Sequence, residues 1–283
     1  MVLKGKSVVI TGAGRGLGRA YARAAADAGA SVVVNDVDVR HAQSVVDEIT
    51  SAGGTAVASG HDVADPVEAG ELIARCEEAF GAIDGLVNNA GLFHVGPAWD
   101  EEPARVRRLI EVNVLGSMFC GMEAIRRMRT RGTGSIINVT SGAHLGIPGM
   151  SSYGASKGAV ASVTWGWALD LADLSIRVNA VSPIARTRMT EASGSSGGSQ
   201  PEPDLIAPVV VYLLSDEAKD ISGQVLRLDG ERLSTLLPAR FTEPVTSATG
   251  WTWSQIAEAL KSSSLGSEPI GLAGRGEPPS DPR

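Results

Sequence analysis

The 283-residue sequence predicts an α/β fold: a doubly wound parallel sheet in a single domain, followed by a C-terminal extension. Two observations carry this expectation. Short β-branched runs alternate with longer amphipathic segments through most of the chain, which is the pattern of strands joined by crossover helices. The runs are also apolar almost without interruption, as strands covered on both faces are. Right-handed crossovers then make a doubly wound sheet the natural topology.

The elements follow in order. SVVI (7–10) and SVVVN (31–35) are compact strands, separated by a helix from about Leu17 to Ala28 that Gly29 closes. A second helix spans 41–52 and ends at Gly53 and Gly54. TAVASG (55–60) is a strand, and 66–80 a helix with Pro66 in its first turn, where a missing N–H costs nothing. IDGLVNN (83–89) is a strand before one long helix, 102–130. SIINVT (135–140), a helix at 152–172, SIRVNAV (175–181), a helix at 203–215 and QVLRLD (224–229) complete the alternation.

Two segments depart from the pattern. Residues 191–203 are rich in Gly, Ser and Pro and are expected to be mobile. After Gly230 the alternation stops, so the core domain is expected to be 1–230 and the extension 231–283. ERLSTLLPARF and WTWSQIAEAL (251–260) carry apolar residues at roughly helical spacing, and the chain after about 260 reads as disordered.

Composition removes several functions. A net charge of −7 and a pI near 5.2 argue against a nucleic-acid surface. The densest basic run, Arg126, Arg127, Arg129 and Arg131, reads as the C-terminal end of a helix, where cations suit the dipole. Cys76 and Cys120 make neither a disulfide framework nor a metal cluster. His41, His61, His94 and His144 are dispersed, so no metal site is expected; His94 and His144 read as surface-loop residues. With no apolar stretch long enough for a signal peptide or a membrane span, the expected setting is the cytoplasm.

TGAGRGLG (11–18) lies between the first strand and the first helix. Glycines there let the backbone approach a pyrophosphate, which the helix N-terminus attracts. Gly12, Arg15, Gly16, Leu17 and Gly18 are the candidate contacts. Asp36 ends the second strand, where a carboxylate accepts the hydroxyls of an adenosine ribose and repels a 2′-phosphate. Arg15 would attract that phosphate instead. Asp36 is the better placed of the two, so NAD is expected ahead of NADP.

Tyr153 and Lys157 stand four apart in a predicted helix and share one face. A free tyrosine titrates at about 10; a fixed ammonium beside it favours the phenolate and lowers that value. Such a phenol can exchange a proton with an alcohol while a nicotinamide carries hydride. Ser141 follows SIINVT, at the carboxyl end of the sheet, where ligands bind in such folds.

TGAGRGLG, NNAG (88–91) and YGASK (153–157), in this order and spacing, resemble the short-chain dehydrogenase/reductase family over about residues 5–230. The resemblance implies a Rossmann fold and an NAD-linked oxidoreductase acting on an alcohol or carbonyl. It implies that Ser141 binds the substrate oxygen and that Tyr153 is the acid/base, assisted by Lys157. Asn113, in LIEVNVLG, would hold a water in the proton relay. Asp62 and Val63 would lie beside the adenine. Asn88, Asn89, Ala90 and Gly91 would line the cleft, and Pro183 and Thr187 would meet the carboxamide. It also implies a small-molecule substrate and homodimers or homotetramers built through 102–130 and 203–229. Two positions depart from the family pattern: Ile184 stands where glycine usually follows the proline, and Ser141 to Tyr153 is one residue shorter than is commonest. NAVSPIARTRMTEA and the stretch beyond Gly230 are similar to 3-hydroxyacyl-CoA dehydrogenase units of multifunctional enzymes. An idle cofactor-binding scaffold and an epimerase or dehydratase are the competing readings.

Overall fold

The computed structural model describes residues 1–186, 200–237, 246–247 and 250–262. Seven strands run parallel in the order β3-β2-β1-β4-β5-β6-β7, and β8 closes the edge antiparallel to β7. The strands are β1 (Ser7–Ile10), β2 (Ser31–Asn35), β3 (Thr55–Ser59), β4 (Gly85–Asn88), β5 (Thr133–Val139), β6 (Ser175–Pro183), β7 (Val225–Leu228) and β8 (Leu233–Thr235). After β3 the chain returns past β1 to place β4 on its other side, so strand order reverses between β1 and β4. That reversal opens a crevice at the carboxyl ends of the two strands.

Alternate residues along each strand feed opposite layers. Val8, Ile10, Val32 and Val34 pack under α1 (Gly16–Asp27) and α2 (Val39–Ser51), with α7 (Ala207–Leu214) in the same layer. Val9, Val33, Leu86 and Ile136 pack against α3 (Pro66–Phe80) and the helices from 103 to 131. Asp65 caps α3 by accepting from Val67 and Glu68 N–H, with Pro66 at its start, the arrangement expected of an N-cap. α6 (Ser151–Asp170) lies on the same side as the helix at Ser117–Arg131.

The long helix expected at 102–130 is interrupted. It begins as α4 (Pro103–Ile110), widens into a π segment at Glu111–Gly116, and resumes as α5 (Ser117–Arg131). Overall periodicity, which predicts one continuous helix, does not register a single-residue shift of phase. The helix expected at 203–215 starts with a 3₁₀ turn, Pro203–Leu205, before α7. ERLST, read from its spacing as helical, is instead the turn and strand of β8 on the open edge of β7.

The chain divides into two units, residues 1–236 and 237–283. Within the second, Trp253–Ser262 forms helix α8. The Gly/Ser-rich run is described only from Gln200, and the chain beyond 262 lies outside the described residues. Arg126, Arg127 and Arg131 of the basic run are ion-paired, with Glu123, Glu77 and Asp84 among their partners. Among the described residues no helix is long and apolar enough to cross a membrane.

At Gly121 α5 packs directly under an α6 side chain: a Cβ there would lie 2.3 Å from two ring carbons of Trp167. Overpacking at such a contact typically costs about 1–3 kcal/mol. Gly121→Val should therefore lower the urea midpoint without changing the slope, and an unchanged midpoint would refute the close packing.

Candidate active site

The cleft is built where the loops after β1 and β4 meet. Thr11 joins them through one hydroxyl, which donates to Val87 O at 3.4 Å and accepts from the amides of Asn89 and Ala90, both at 3.0 Å. Asn89 answers from the other side, its Nδ2 reaching Thr11 O at 2.9 Å and Gly12 O at 3.0 Å. Gly12 has φ +61, and a Cβ on it would sit 2.7 Å from Ala90 Cα. A Cβ on Gly18 would meet Gly12 O at 2.2 Å. Side chains are therefore excluded at Gly12 and Gly18, which leaves the backbone there open to a ligand.

α1 starts directly after this loop. Its first turn holds no acid, and its N-cap residue, the exposed Arg15, makes no side-chain cap bond. Gly16 is exposed and Leu17 half-buried. A helix start left in this way suits a phosphate. Asp36 is fixed just past β2: Gly14 N–H donates to Oδ2 at 3.1 Å and Asp38 N–H to Oδ1 at 3.0 Å. Each oxygen keeps acceptor capacity, as ribose hydroxyls require. Gly91 borders the catalytic end, where a Cβ would come 3.3 Å from Asn113 Oδ1 and 3.6 Å from Lys157 Nζ. This glycine-lined groove fits a dinucleotide.

Three other predicted contacts are engaged within the protein. Asp62 is already engaged: Oδ1 accepts from Ala64 N–H at 2.9 Å and Oδ2 pairs with Arg108 at 2.7 Å. Burial opposes ionisation of Asp62, but those partners outweigh it and hold the carboxyl below its usual range. Val63 is buried, packed where a Cβ on Gly116 would meet its Cγ2 at 2.8 Å. Asn88 does not present its side chain to the cleft. It is buried, and its Nδ2 donates to Ser117 O at 3.1 Å and Asn138 Oδ1 at 2.9 Å. Strand alternation turns it into the α5 layer. Pro183 ends β6 opposite Leu228, and Thr187 lies outside the described residues.

The candidate catalytic groups converge at the carboxyl end of the sheet. Asn113 sits in the π segment and is fully buried; such widened turns recur at functional sites. Its Oδ1 accepts from Leu92 N–H at 2.7 Å, and its Nδ2 donates to Leu92 O and Ser156 Oγ, both at 3.0 Å. Of the capacity of an amide side chain, one acceptor position is left over for a water. Ser141 follows β5 and starts a 3₁₀ turn, Gly142–Leu145, by accepting from Ala143 N–H at 3.2 Å. Tyr153 and Lys157 lie on successive turns of α6, with Lys157 Nζ 5.9 Å from the phenol ring centroid.

The electrostatics differ from the sequence-based expectation. Burial pushes the Tyr153 phenol above its ordinary value, and the group that opposes the rise is the Ser141 hydrogen bond. Lys157 does not lower it here. Its Nζ donates to Val139 O at 2.8 Å, and burial lowers the lysine itself to about 8. Desolvation disfavours both charged forms, and at this separation the attraction between them does not offset it. The arrangement holds a neutral phenol beside a serine hydroxyl, with an amine behind it that releases its proton easily.

Several residues at the site carry no signal in the motifs. The Phe93 ring stands edge-on to Tyr153, centroids 4.8 Å apart at 86°; its position just after NNAG is the only hint. Arg108 and Glu101 have no local signature. The two loop histidines are not simple surface residues. His94 Nε2 is 3.0 Å from Ser152 Oγ and 3.4 Å from Glu101 Oε1, and His144 Nδ1 contacts Ser141 O. Both loops fold back over α6.

The chain is similar to several known proteins. The family described as short chain dehydrogenase matches residues 6–196. A cis-4-hydroxycyclohexanecarboxylate dehydrogenase of Sinomonas cyclohexanicum is 37% identical over 236 residues, 78% of this chain and 94% of that protein. A short chain dehydrogenase of Mycobacterium avium superposes with a TM-score of 0.84 at 33% identity, over 92% of this chain and 95% of its own. A gluconate 5-dehydrogenase of Burkholderia cenocepacia, solved with NADP and tartrate, gives 0.76 at 32% identity, over 81% and 95%.

The buried lysine has a thermodynamic signature. Its folded value of about 8 lies below its ordinary 10.5, so between those values the unfolded chain binds more protons. Stability then rises with pH across that window. Lys157→Met should remove this contribution, leaving a smaller rise than the wild type from pH 8 to 10.5 in urea titrations at stepped pH. Identical slopes would mean that Lys157 is not desolvated as described.

Proposed function

The chain belongs to the short-chain dehydrogenase family, and on that premise we propose that it interconverts a secondary alcohol and its carbonyl with NAD, using Tyr153 as acid/base. One observation carries the reading: Ser141, Tyr153 and Lys157 lie together beside the Gly91 end of a glycine-lined groove. Bound NAD supplies the hydride acceptor. Ser141 holds the substrate oxygen and donates to it as charge develops. In reduction Tyr153, a neutral phenol, donates its proton to the carbonyl oxygen. In oxidation it first gives that proton up to the relay through neutral Lys157 and then, as phenolate, takes the proton of the alcohol. Lys157, lowered to about 8 by burial, passes a proton onward near neutral pH. Asn113 keeps the loop at Leu92 in place and leaves an acceptor for a relay water.

NAD over NADP rests on Asp36, whose carboxylate is fixed against Gly14 and Asp38 and would repel a 2′-phosphate. The gluconate dehydrogenase relative was solved with NADP, which makes this preference a property of residue 36 to be measured. For substrate, we retain a 3-hydroxyacyl thioester within the class of secondary alcohols, on the likeness of NAVSPIARTRMTEA. Homodimers or homotetramers in the cytoplasm belong to the same reading. An idle scaffold is disfavoured because Asn113, Ser141, Tyr153 and Lys157 are all present. NADH appearing across a panel of acyl-CoA, steroid and simple alcohols separates oxidation from epimerisation or dehydration.

Tyr153→Phe should cut turnover by at least about 10²-fold, the usual scale for general acid–base catalysis, with NAD affinity little changed in calorimetry. Turnover near that of the wild type would remove the assignment. Asp36→Ala should weaken NAD and strengthen NADP in paired binding titrations. If the wild type already prefers NADP, Arg15 rather than Asp36 governs the choice.

A further inference from the structure

The helix that carries Tyr153 and Lys157 starts without a cap of its own. Its N-cap residue is Met150, which makes no side-chain cap bond, and its first turn contains no acid. Helix starts leave N–H groups unpaired and carry partial positive charge. Here the missing group arrives from elsewhere in the chain. Glu101 Oε1 accepts from the Ser152 hydroxyl at 2.5 Å and from the Ser152 amide at 3.4 Å. The Glu101 side chain is only 12% exposed. A carboxylate so covered is costly unless hydrogen-bonded, and the Ser152 hydroxyl, its amide and His94 together hold Glu101 below its ordinary value.

The segment that delivers Glu101 is anchored along its length to the elements that bear the catalytic groups. Leu92 is held at both its N–H and its carbonyl by Asn113. Phe93 stands edge-on to Tyr153. His94 reaches Ser152 Oγ and Glu101, and Gly96 N–H donates to Gly149 O at 2.9 Å. We propose that Glu101 is a positioning residue for Tyr153: it caps α6 from the loop after β4 and, with His94, fixes Phe93 against the phenol ring. The proposal rests on the reading of Tyr153 as acid/base. Proton transfer is sensitive to placement on the scale of an ångström, whereas the glycine loop is held by Asn89 and Asp36, residues outside the 92–101 segment. Glu101 therefore acts on turnover and not on NAD affinity.

The test compares Glu101→Ala and Glu101→Gln with wild type. It reads kcat with the best alcohol of the panel, NAD affinity by calorimetry, and amide hydrogen exchange of the peptide around Ser152 and Tyr153. Glu101→Ala should lower kcat about tenfold, speed exchange in that peptide and leave NAD affinity unchanged. Glu101→Gln should recover kcat to within about twofold, because its amide oxygen accepts the same two bonds. Ser152→Ala, which removes the shorter bond, should move kcat and exchange in the same direction as Glu101→Ala, and it carries the test if that variant does not fold. Wild-type kcat in Glu101→Ala, a Gln variant as impaired as Ala, or NAD affinity falling in step with kcat would each overturn the proposal. An active Tyr153→Phe enzyme would instead sink the acid/base assignment, and the exchange data would still report whether Glu101 caps α6.

Discussion

Everything at the site depends on how two neighbouring parallel strands end. β1 and β4 pair from Val8 opposite Gly85 to Ile10 opposite Val87, and both chains must then turn within one or two residues. Thr11 makes that possible by using its hydroxyl as donor to the β4 residue Val87 and as acceptor for two loop amides. Asn89 returns two bonds to the backbone of the glycine loop. Loops tied in this manner are rigid before any ligand arrives, so little ordering remains to be done on binding. The glycine φ values, the bare start of α1 and the placement of Gly91 are consequences of that junction.

The catalytic end follows a different logic, in which burial is the organising force. Lys157 is 5% exposed, and a lysine in that position is held by one carbonyl, Val139 O. Desolvation moves both it and Tyr153 toward their neutral forms. Ser141 is the group that already biases the phenol, which places the serine hydroxyl in the electrostatics of the site. Asn113 extends the same economy: its widened turn sends the amide to the 92–101 segment, and that segment reaches back to α6.

The fold and the motif-borne part of the site were readable because they are local. A strand, a tight glycine turn and a helix start are neighbours in sequence, and Tyr153 with Lys157 follows from helix periodicity alone. The misses are all non-local. The π segment within 103–131 depends on packing against Val63 and Leu92, which spacing does not encode. Asn88 is adjacent to Asn89, yet strand alternation buries one and presents the other. His94 became a partner of Ser152 only because a loop 58 residues earlier folds over α6, and Glu101 reaches that serine across 51.

The sequence by itself determined the alternation of strands and helices, the phosphate-type loop, the acidic residue after β2 and the four candidate catalytic groups. Each of these is set by short-range backbone preference or by side-chain spacing along one element. Tertiary structure alone decided which groups are desolvated, which carboxylate meets which N–H, and therefore the sign of the Tyr153 shift. Those outcomes depend on distances between segments far apart in the chain, and a pKa responds to the total field and burial at one point in space. The order of residues specifies that point only after the chain has folded.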